Sequence, residues 1–260
     1  MKIKTMTYNL PVWGSDHPEY FFGDRKDRIK AFLSSEMPDI IGFQEMQDSV
    51  KTWLSDNLPD YVFLGMGREK NFTGESVTIA YNKRKFDLFS LEQFWLSPTP
   101  DIPASCFTLD QSEFPRIGLV ARLVSKEEKK PFIFANTHLD HIGSIARVCG
   151  ADLMMSKISA YKLPFILTGD FNEYPNGKAI KELTSIPGVY DLTADLNADT
   201  FRLPGGDGDL KDENGNPVPV KIDYIFSSGN SAPGTLTLHN NDAEYGILSD
   251  HYPVSVVVEL

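Results

Sequence analysis

Residues 131–172, PFIFANTHLDHIGSIARVCGADLMMSKISAYKLPFILTGDFN, decide the fold. Residues 131–138 and 165–170 are short apolar runs with the β-branched and aromatic content of buried strands. Between them, residues from about Ser144 to Tyr161 have the length and pattern of a helix. Strand, helix, strand is the crossover unit that joins two parallel strands. Both strands end on residues that resist burial, His138 and Asp170.

The same grammar extends in both directions. Downstream, a helix is expected near 178–183 and strands at 222–226, 234–238 and 252–259, while residues 203–220, rich in Gly, Pro, Asp and Asn, read as a long surface loop. Upstream, residues 3–10 read as a strand ending at Asn9. A helix over about 25–36 follows, with Asp24 as its N-cap and Pro38 as its stop. Residues 39–45 form an apolar run with a carboxylate tip, and residues 48–57 a second helix. Residues 61–64, 76–82, 86–96 and 117–124 favour strands joined as antiparallel hairpins. Each half thus supplies strands with covering helices, which predicts an α/β protein of two sheets packed face to face with helices outside. No low-complexity linker divides the halves and polar strand tips come from both, so residues 1–260 read as one domain.

Bulk properties narrow the function. Hydrophobic residues at 41% and charged residues at 23% argue against global disorder and against a membrane protein. The N-terminus lacks the long apolar core of a secretory signal and no run of about 18 apolar residues occurs. A cytoplasmic monomer with no membrane partner is expected. Two cysteines, Cys106 and Cys149, make neither a disulfide framework nor a zinc cluster. The net charge of -11 works against a protein that must track a polynucleotide backbone, so a nucleic-acid partner is disfavoured though not excluded.

The chemistry lies at the strand ends. Asn9, Glu45, His138, Asp170 with Asn172, Asp223, and Asp250 with His251 all follow or interrupt apolar runs. An ionised group at the end of a buried strand is costly unless it is paired, hydrogen-bonded or metal-bound. Six such tips point to one polar cleft. Glu45, Asp170 and Asp250 are hard oxygen donors, Asn9 and Asn172 are neutral partners, and no cysteine sits among them, a set suited to Mg²⁺ or Mn²⁺ rather than structural zinc. Histidines beside carboxylates add groups that move protons near neutral pH. Together they predict metal-assisted hydrolysis.

The motifs TYNL at Asn9, FQEM at Glu45, NTHLDH at His138, GDFN at Asp170 and Asn172, IDYIF at Asp223 and SDHYPV at Asp250 and His251 span nearly the whole chain. In that order they resemble the endonuclease/exonuclease/phosphatase superfamily, the DNase-like fold. The resemblance implies a four-layer α/β sandwich and attack of water on a phosphorylated substrate. It further implies Glu45 as principal metal ligand with Asn9 and Asp250 near the metal, Asp170 orienting or deprotonating the water, and Asn172 positioning the water or a phosphate oxygen. His251, held by Asp223, would contact the phosphate, and His138 would stabilise the pentacovalent state. Whether Asp170 or His251 is the base stays open at this stage.

Several residues carry weaker expectations. Arg116 is a candidate phosphate clamp, because a guanidinium matches phosphate oxygens bidentately. Asp140, His141 and Arg147 extend the NTHLDH motif and are candidates for the pocket, although a loop-capping Asp and a surface Arg would look the same. Glu75 is expected to face the cleft and Trp95 to lie in the core, while His17 and His239 read as structural or solvated. The favoured function is hydrolysis of a phosphodiester or phosphomonoester, of a small soluble substrate before long duplex DNA. The alternatives are a nuclease acting on DNA or RNA, a non-catalytic binding protein on the same scaffold, and a partner-binding role for the 203–220 loop.

Overall fold

A computed structural model describes residues 1–11, 20–202 and 219–260. The expected loop at 203–220 and His17 therefore fall largely or wholly outside the described residues. The elements run Lys2–Asn9 (β1), Phe22–Glu36 (α1), Ile40–Met46 (β2), Asp48–Asn57 (α2), Tyr61–Leu64 (β3), Ser76–Asn82 (β4) and Phe86–Trp95 (β5). Next come Ile117–Ser125 (β6), Pro131–His138 (β7), Ser144–Ser159 (α3), Phe165–Asp170 (β8), Lys178–Ser185 (α4) and Tyr190–Asp191 (β9). Asp223–Ser227 (β10), Asn230–Ser231 (β11), Thr237–Leu238 (β12), Asp242–Tyr245 (α5) and Val254–Glu259 (β13) complete the described chain.

These strands build two mixed sheets. One has seven strands in the order β11-β13-β1-β2-β4-β3, with β12 also on β13, and the other has six in the order β5-β6-β7-β8-β10-β9. The crossover read from residues 131–172 is present: β7 and β8 are parallel, with His138 opposite Asp170. β1 and β2 form the matching parallel pair in the other sheet, joined through α1.

Three apolar layers hold four layers of structure together. Ile3, Ile79, Phe132, Phe134, Ile166 and Val256 pack between the sheets. Tyr8, Phe43 and Ile41 meet Phe32, Leu33 and Leu54 of α1 and α2 outside the first sheet. Ile133, Leu167 and Tyr224 meet Met154, Ile158 and Ile180 of α3 and α4 outside the second. Strands buried on both faces explain why their sequences read as continuous apolar runs rather than alternations.

Near one end of the sandwich the interior turns polar. Asn136 is fully buried; its Nδ2 donates to the carbonyls of Phe43 (2.7 Å) and Thr78 (3.1 Å). Its Oδ1 accepts from Gln44 Nε2 (2.8 Å) and Thr168 Oγ1 (3.1 Å). All four hydrogen-bonding positions of the amide are thereby filled from three other strands. Gly42 makes room for this seam: a Cβ there would lie 2.0 Å from Thr168 Oγ1 and 2.7 Å from Asn136 Oδ1.

Some local expectations need correction. The first helix begins at Phe22 with Phe21 as N-cap, so Asp24 sits inside the first turn, where a carboxylate still favours the positive end of the helix dipole. The expected strand at 234–238 is reduced to β12, because Gly234 turns the chain at φ +69° and Thr235 folds back on Ala232. Trp95 is buried, with its indole N–H donated to the Arg68 carbonyl at 2.7 Å, as a core reading requires.

Candidate active site

Sheet register brings the polar tips together. His138, Asp170 and Asp223 end up side by side on β7, β8 and β10, since Asp170 is opposite His138 in the parallel ladder and opposite Asp223 in the antiparallel one. Across the sandwich Asn9 ends β1 opposite Gln44 of β2, and Glu45 follows Gln44 at a bulge where the pairing with β4 shifts between Phe43 and Met46. Glu45 has φ +57° and Asn172 has φ +48°, left-handed conformations that side chains rarely adopt. Such strain collects at functional sites.

The segment carrying Asp250 and His251 reaches the same place between α5 and β13. Buried Arg25 fixes it by donating to the carbonyl of Leu248, and to those of Pro11 (2.5 Å) and Tyr20. Arg202 holds the other side, its Nε donating to the Ser249 carbonyl at 3.1 Å. The result is a cleft of about 380 Å³ lined by Glu45, Glu75, Arg68, Arg116, His138, His141, Asp170, Asn172, Asp250 and His251, with Phe114 and Phe201 among its apolar wall residues.

His251 and Asp223 form a buried pair, Nδ1 to Oδ2 at 2.8 Å. Burial alone would lower the imidazole, but the charge and hydrogen bond of Asp223, aided by Asp170 and Asp250, outweigh it and push His251 up to about 10. His251 is therefore an imidazolium at neutral pH, with Nε2 directed toward Asp170 Oδ2 at 3.7 Å. Asp170 accepts from the Asn172 backbone N–H (2.8 Å) and from Asn9 Nδ2 (3.0 Å). Burial raises its carboxyl despite the opposing pull of His251, which makes it a better base than a solvated Asp.

His138 has the opposite character. Burial, then the charges of Arg116 and Arg68, hold it well below its usual range. Its Nε2 accepts from Asn172 Nδ2 at 3.0 Å, which leaves the ring proton on Nδ1. Asn172 also donates to the Leu139 carbonyl at 3.1 Å and so locks the β7 and β8 tips together.

The Glu45 side fits a divalent cation. Burial and the nearby charges of Glu75 and Asp250 raise the Glu45 carboxyl, while Asn9 Nδ2 donates to its Oε1 at 3.1 Å. Asn9 Oδ1 is buried with no hydrogen-bond partner among the described residues. An unpartnered carbonyl oxygen beside mutually repelling carboxylates matches the hard oxygen donors such ions take. Asp170, Asp223 and His251 also offer ligand atoms within 4.8 Å of one another and could hold a metal ion.

Residues with weaker expectations separate here. Arg116 is buried in the cleft wall, its Nη2 at 2.9 Å from His141 Nδ1, so it is not a solvated arginine. His141 is more exposed but lines the cleft, as does Glu75. Asp140 lies beneath instead, accepting the backbone N–H groups of Ser112, Ile142 and Gly143, the arrangement of a loop-capping residue. Arg147 pairs with Glu173 at 3.1 Å and donates to the Asp140 carbonyl, away from the cleft lining. His239 is structural, its Nε2 2.8 Å from Ser255 Oγ and its ring edge-on to Phe32. Sequence reading missed Arg68, whose setting among charged loop residues gives no sign of burial.

Comparison with known proteins agrees with this geometry. A crystal structure of an endonuclease/exonuclease/phosphatase from Bacteroides vulgatus is similar over 100% of this chain and 99% of that one, at 28% identity and a TM-score of 0.81. A mannosyl-6-phosphatase from Bacteroides thetaiotaomicron aligns over 99% of this chain and 100% of its own, at 28% identity and a TM-score of 0.79. The uncharacterized protein L388 of Acanthamoeba polyphaga mimivirus is 30% identical over 164 residues, 60% of this chain and 61% of that protein, so the match spans less than two thirds of that relative. The model of the Endonuclease/Exonuclease/phosphatase family matches residues 12–251, and the four-layer sandwich is that of its solved members. The chain belongs to the endonuclease/exonuclease/phosphatase family of hydrolases.

Proposed function

We propose that this protein hydrolyses a phosphoric ester, monoester or diester, of a small soluble substrate with the help of Mg²⁺, for which Mn²⁺ can substitute. The observation that carries this reading is the meeting of Asp170 with the hydrogen-bonded His251–Asp223 pair in one cleft, where burial raises the Asp170 carboxyl and Asp223 raises the imidazole against its burial. Asp170 orients and deprotonates the attacking water. His251 is not free to act as the base, since Asp223 keeps its proton in place; it donates from Nε2 to a phosphoryl oxygen. Arg116 supplies positive charge from the cleft wall, and Asn172 positions the reacting group beside Asp170.

Glu45, Asn9 and Asp250 would hold the ion, which supplies Lewis-acid polarisation of the phosphoryl group. The Asp170, Asp223 and His251 group is assigned to proton movement, because its shortest contact is already a hydrogen bond. A net charge of -11 favours small substrates over nucleic acid, and similarity to a mannosyl-6-phosphatase supports the same choice. The free Cys106 and Cys149 suit a cytoplasmic setting, and a single chain carries every residue the reaction needs, so we assign a monomer.

The test is a hydrolysis panel of phosphomonoesters, phosphodiesters and short oligonucleotides with Mg²⁺, Mn²⁺ or chelator. Turnover of small esters that stops with chelator and in Asp170→Ala is expected. Activity that survives either change would overturn the mechanism, and turnover confined to oligonucleotides would overturn the substrate class.

A further inference from the structure

Two buried guanidiniums line one corner of the cleft, each beside a carboxylate. Arg68 lies between β3 and β4 and is 9% exposed; Arg116 precedes β6 and is 5% exposed. Both line the same corner as Glu45 and His138. A buried guanidinium normally has its donors satisfied. Arg68 does not: Nη1 meets Glu75 Oε2 at 2.8 Å, but Nε is buried with no hydrogen-bond partner among the described residues, Glu69 Oε1 standing off at 3.9 Å. Among the described residues Arg116 has a 3.5 Å contact from Nε to Asp140 and one from Nη2 to His141 at 2.9 Å.

The position of Arg68 is built, not incidental. Its carbonyl takes the indole N–H of Trp95, its guanidinium carbon lies 4.9 Å from the centre of the Phe114 ring, and Glu75 orients its fork. The cost of holding two guanidiniums side by side appears in Arg116, lowered first by burial and then by the charge of Arg68. An anion lodged between them relieves that repulsion.

We infer that Arg68, oriented by Glu75 and paired with Arg116, selects a dianionic phosphomonoester. A monoester presents three terminal oxygens and a charge approaching two near neutral pH, whereas a diester presents two such oxygens and one charge. With a diester, the third oxygen is esterified, and the guanidinium of Arg68 meets a weak neutral acceptor in place of a charged one. One negative charge and one terminal oxygen fewer weaken binding of the diester relative to the monoester by about tenfold or more. This inference rests on the phosphoester reading above and narrows its substrate class.

Two measurements test it separately from turnover. Benzylphosphonate, a dianion whose P–C bond resists hydrolysis, and its monomethyl ester, a monoanion, are titrated calorimetrically into the protein with Mg²⁺. The parent should bind the dianion at least about tenfold more tightly, and Arg68→Met should erase most of that preference while changing monoanion binding less than about threefold. Arg68→Lys keeps a charge opposite Glu75 but loses the fork, and should retain only part of the preference, so the assignment does not depend on one variant folding. In parallel, p-nitrophenyl phosphate and bis(p-nitrophenyl) phosphate are assayed for hydrolysis. Equal binding of the two phosphonates by the parent, no binding of either, or an equal loss for both in Arg68→Met overturns the inference. Selective binding without hydrolysis of either ester would sink the hydrolase reading and leave the role of Arg68 standing. Hydrolysis without dianion preference would do the reverse.

Discussion

His251 Nδ1 lies 2.8 Å from Asp223 Oδ2, while Asp223 Oδ1 is buried with no hydrogen-bond partner among the described residues. The carboxylate is thus committed to the imidazole. Asp223→Asn should keep the shape but remove the charge that holds the ring protonated and oriented. We expect kcat to fall by about 10²–10⁴-fold with KM changed little, the loss typical of a disabled proton donor. A fall in kcat/KM carried by KM alone would count against this role.

The interior seam predicts a large effect far from any substrate. Asn136→Ala would take the side-chain donor from the buried Phe43 and Thr78 carbonyls, while Gln44 Nε2 keeps Thr7 and Gly42 and Thr168 Oγ1 keeps Ala135. At about 1–3 kcal/mol for each unsatisfied group, partly offset by rearrangement, roughly 3 kcal/mol of stability should be lost. Urea denaturation measures it, and a midpoint shift worth less than about 1 kcal/mol would refute the seam's importance. Gly42→Ala should be destabilised for a steric reason, the collision of its Cβ with Thr168.

Metal binding should stabilise the fold by relieving the repulsion around Glu45. With Mg²⁺ at about 100 times its Kd, linkage gives roughly 2.7 kcal/mol, visible as a higher Tm. Glu45→Gln should lose most of this increment. An increment of the same size in that variant would move the ion elsewhere, with Asp170, Asp223 and His251 the next set to test.

His239 gives a pH dependence away from the cleft. Burial holds its imidazole below 6.5, outweighing the opposite pull of Glu36, while Lys4 adds to the lowering. The unfolded chain therefore binds the proton at higher pH than the folded one, and stability must fall as pH drops below about 6.5 toward the folded value. His239→Gln should show a shallower loss of Tm between about pH 7 and pH 5 than the parent. Parallel curves for the two proteins would contradict this.

Much of this site was legible because strand ends carry their chemistry in the open. Residues such as Asp170 and His251 follow apolar runs, and only a cleft makes their burial tolerable. Arg68 was illegible because its neighbours Glu69 and Lys70 look like a solvated loop, and its burial is imposed by Trp95 and Phe114 from other parts of the chain. The interior seam was hidden for a related reason. Gln44, Asn136 and Thr168 read singly as interruptions in apolar strands, and only the packing of the two sheets shows that they complete one another. Asp140 shows the limit from the other side, since a residue within a strong motif proved to organise its loop. The two-residue strands β9 and β11 leave no pattern long enough to detect.

The left-handed backbones at Glu45 and Asn172 set local strain against the side chains they carry. Glycine adopts that conformation without the strain a side chain suffers, and at position 45 it would also remove a carboxylate that its neighbours repel. On backbone strain and local charge alone, Glu45→Gly would be the sturdier chain.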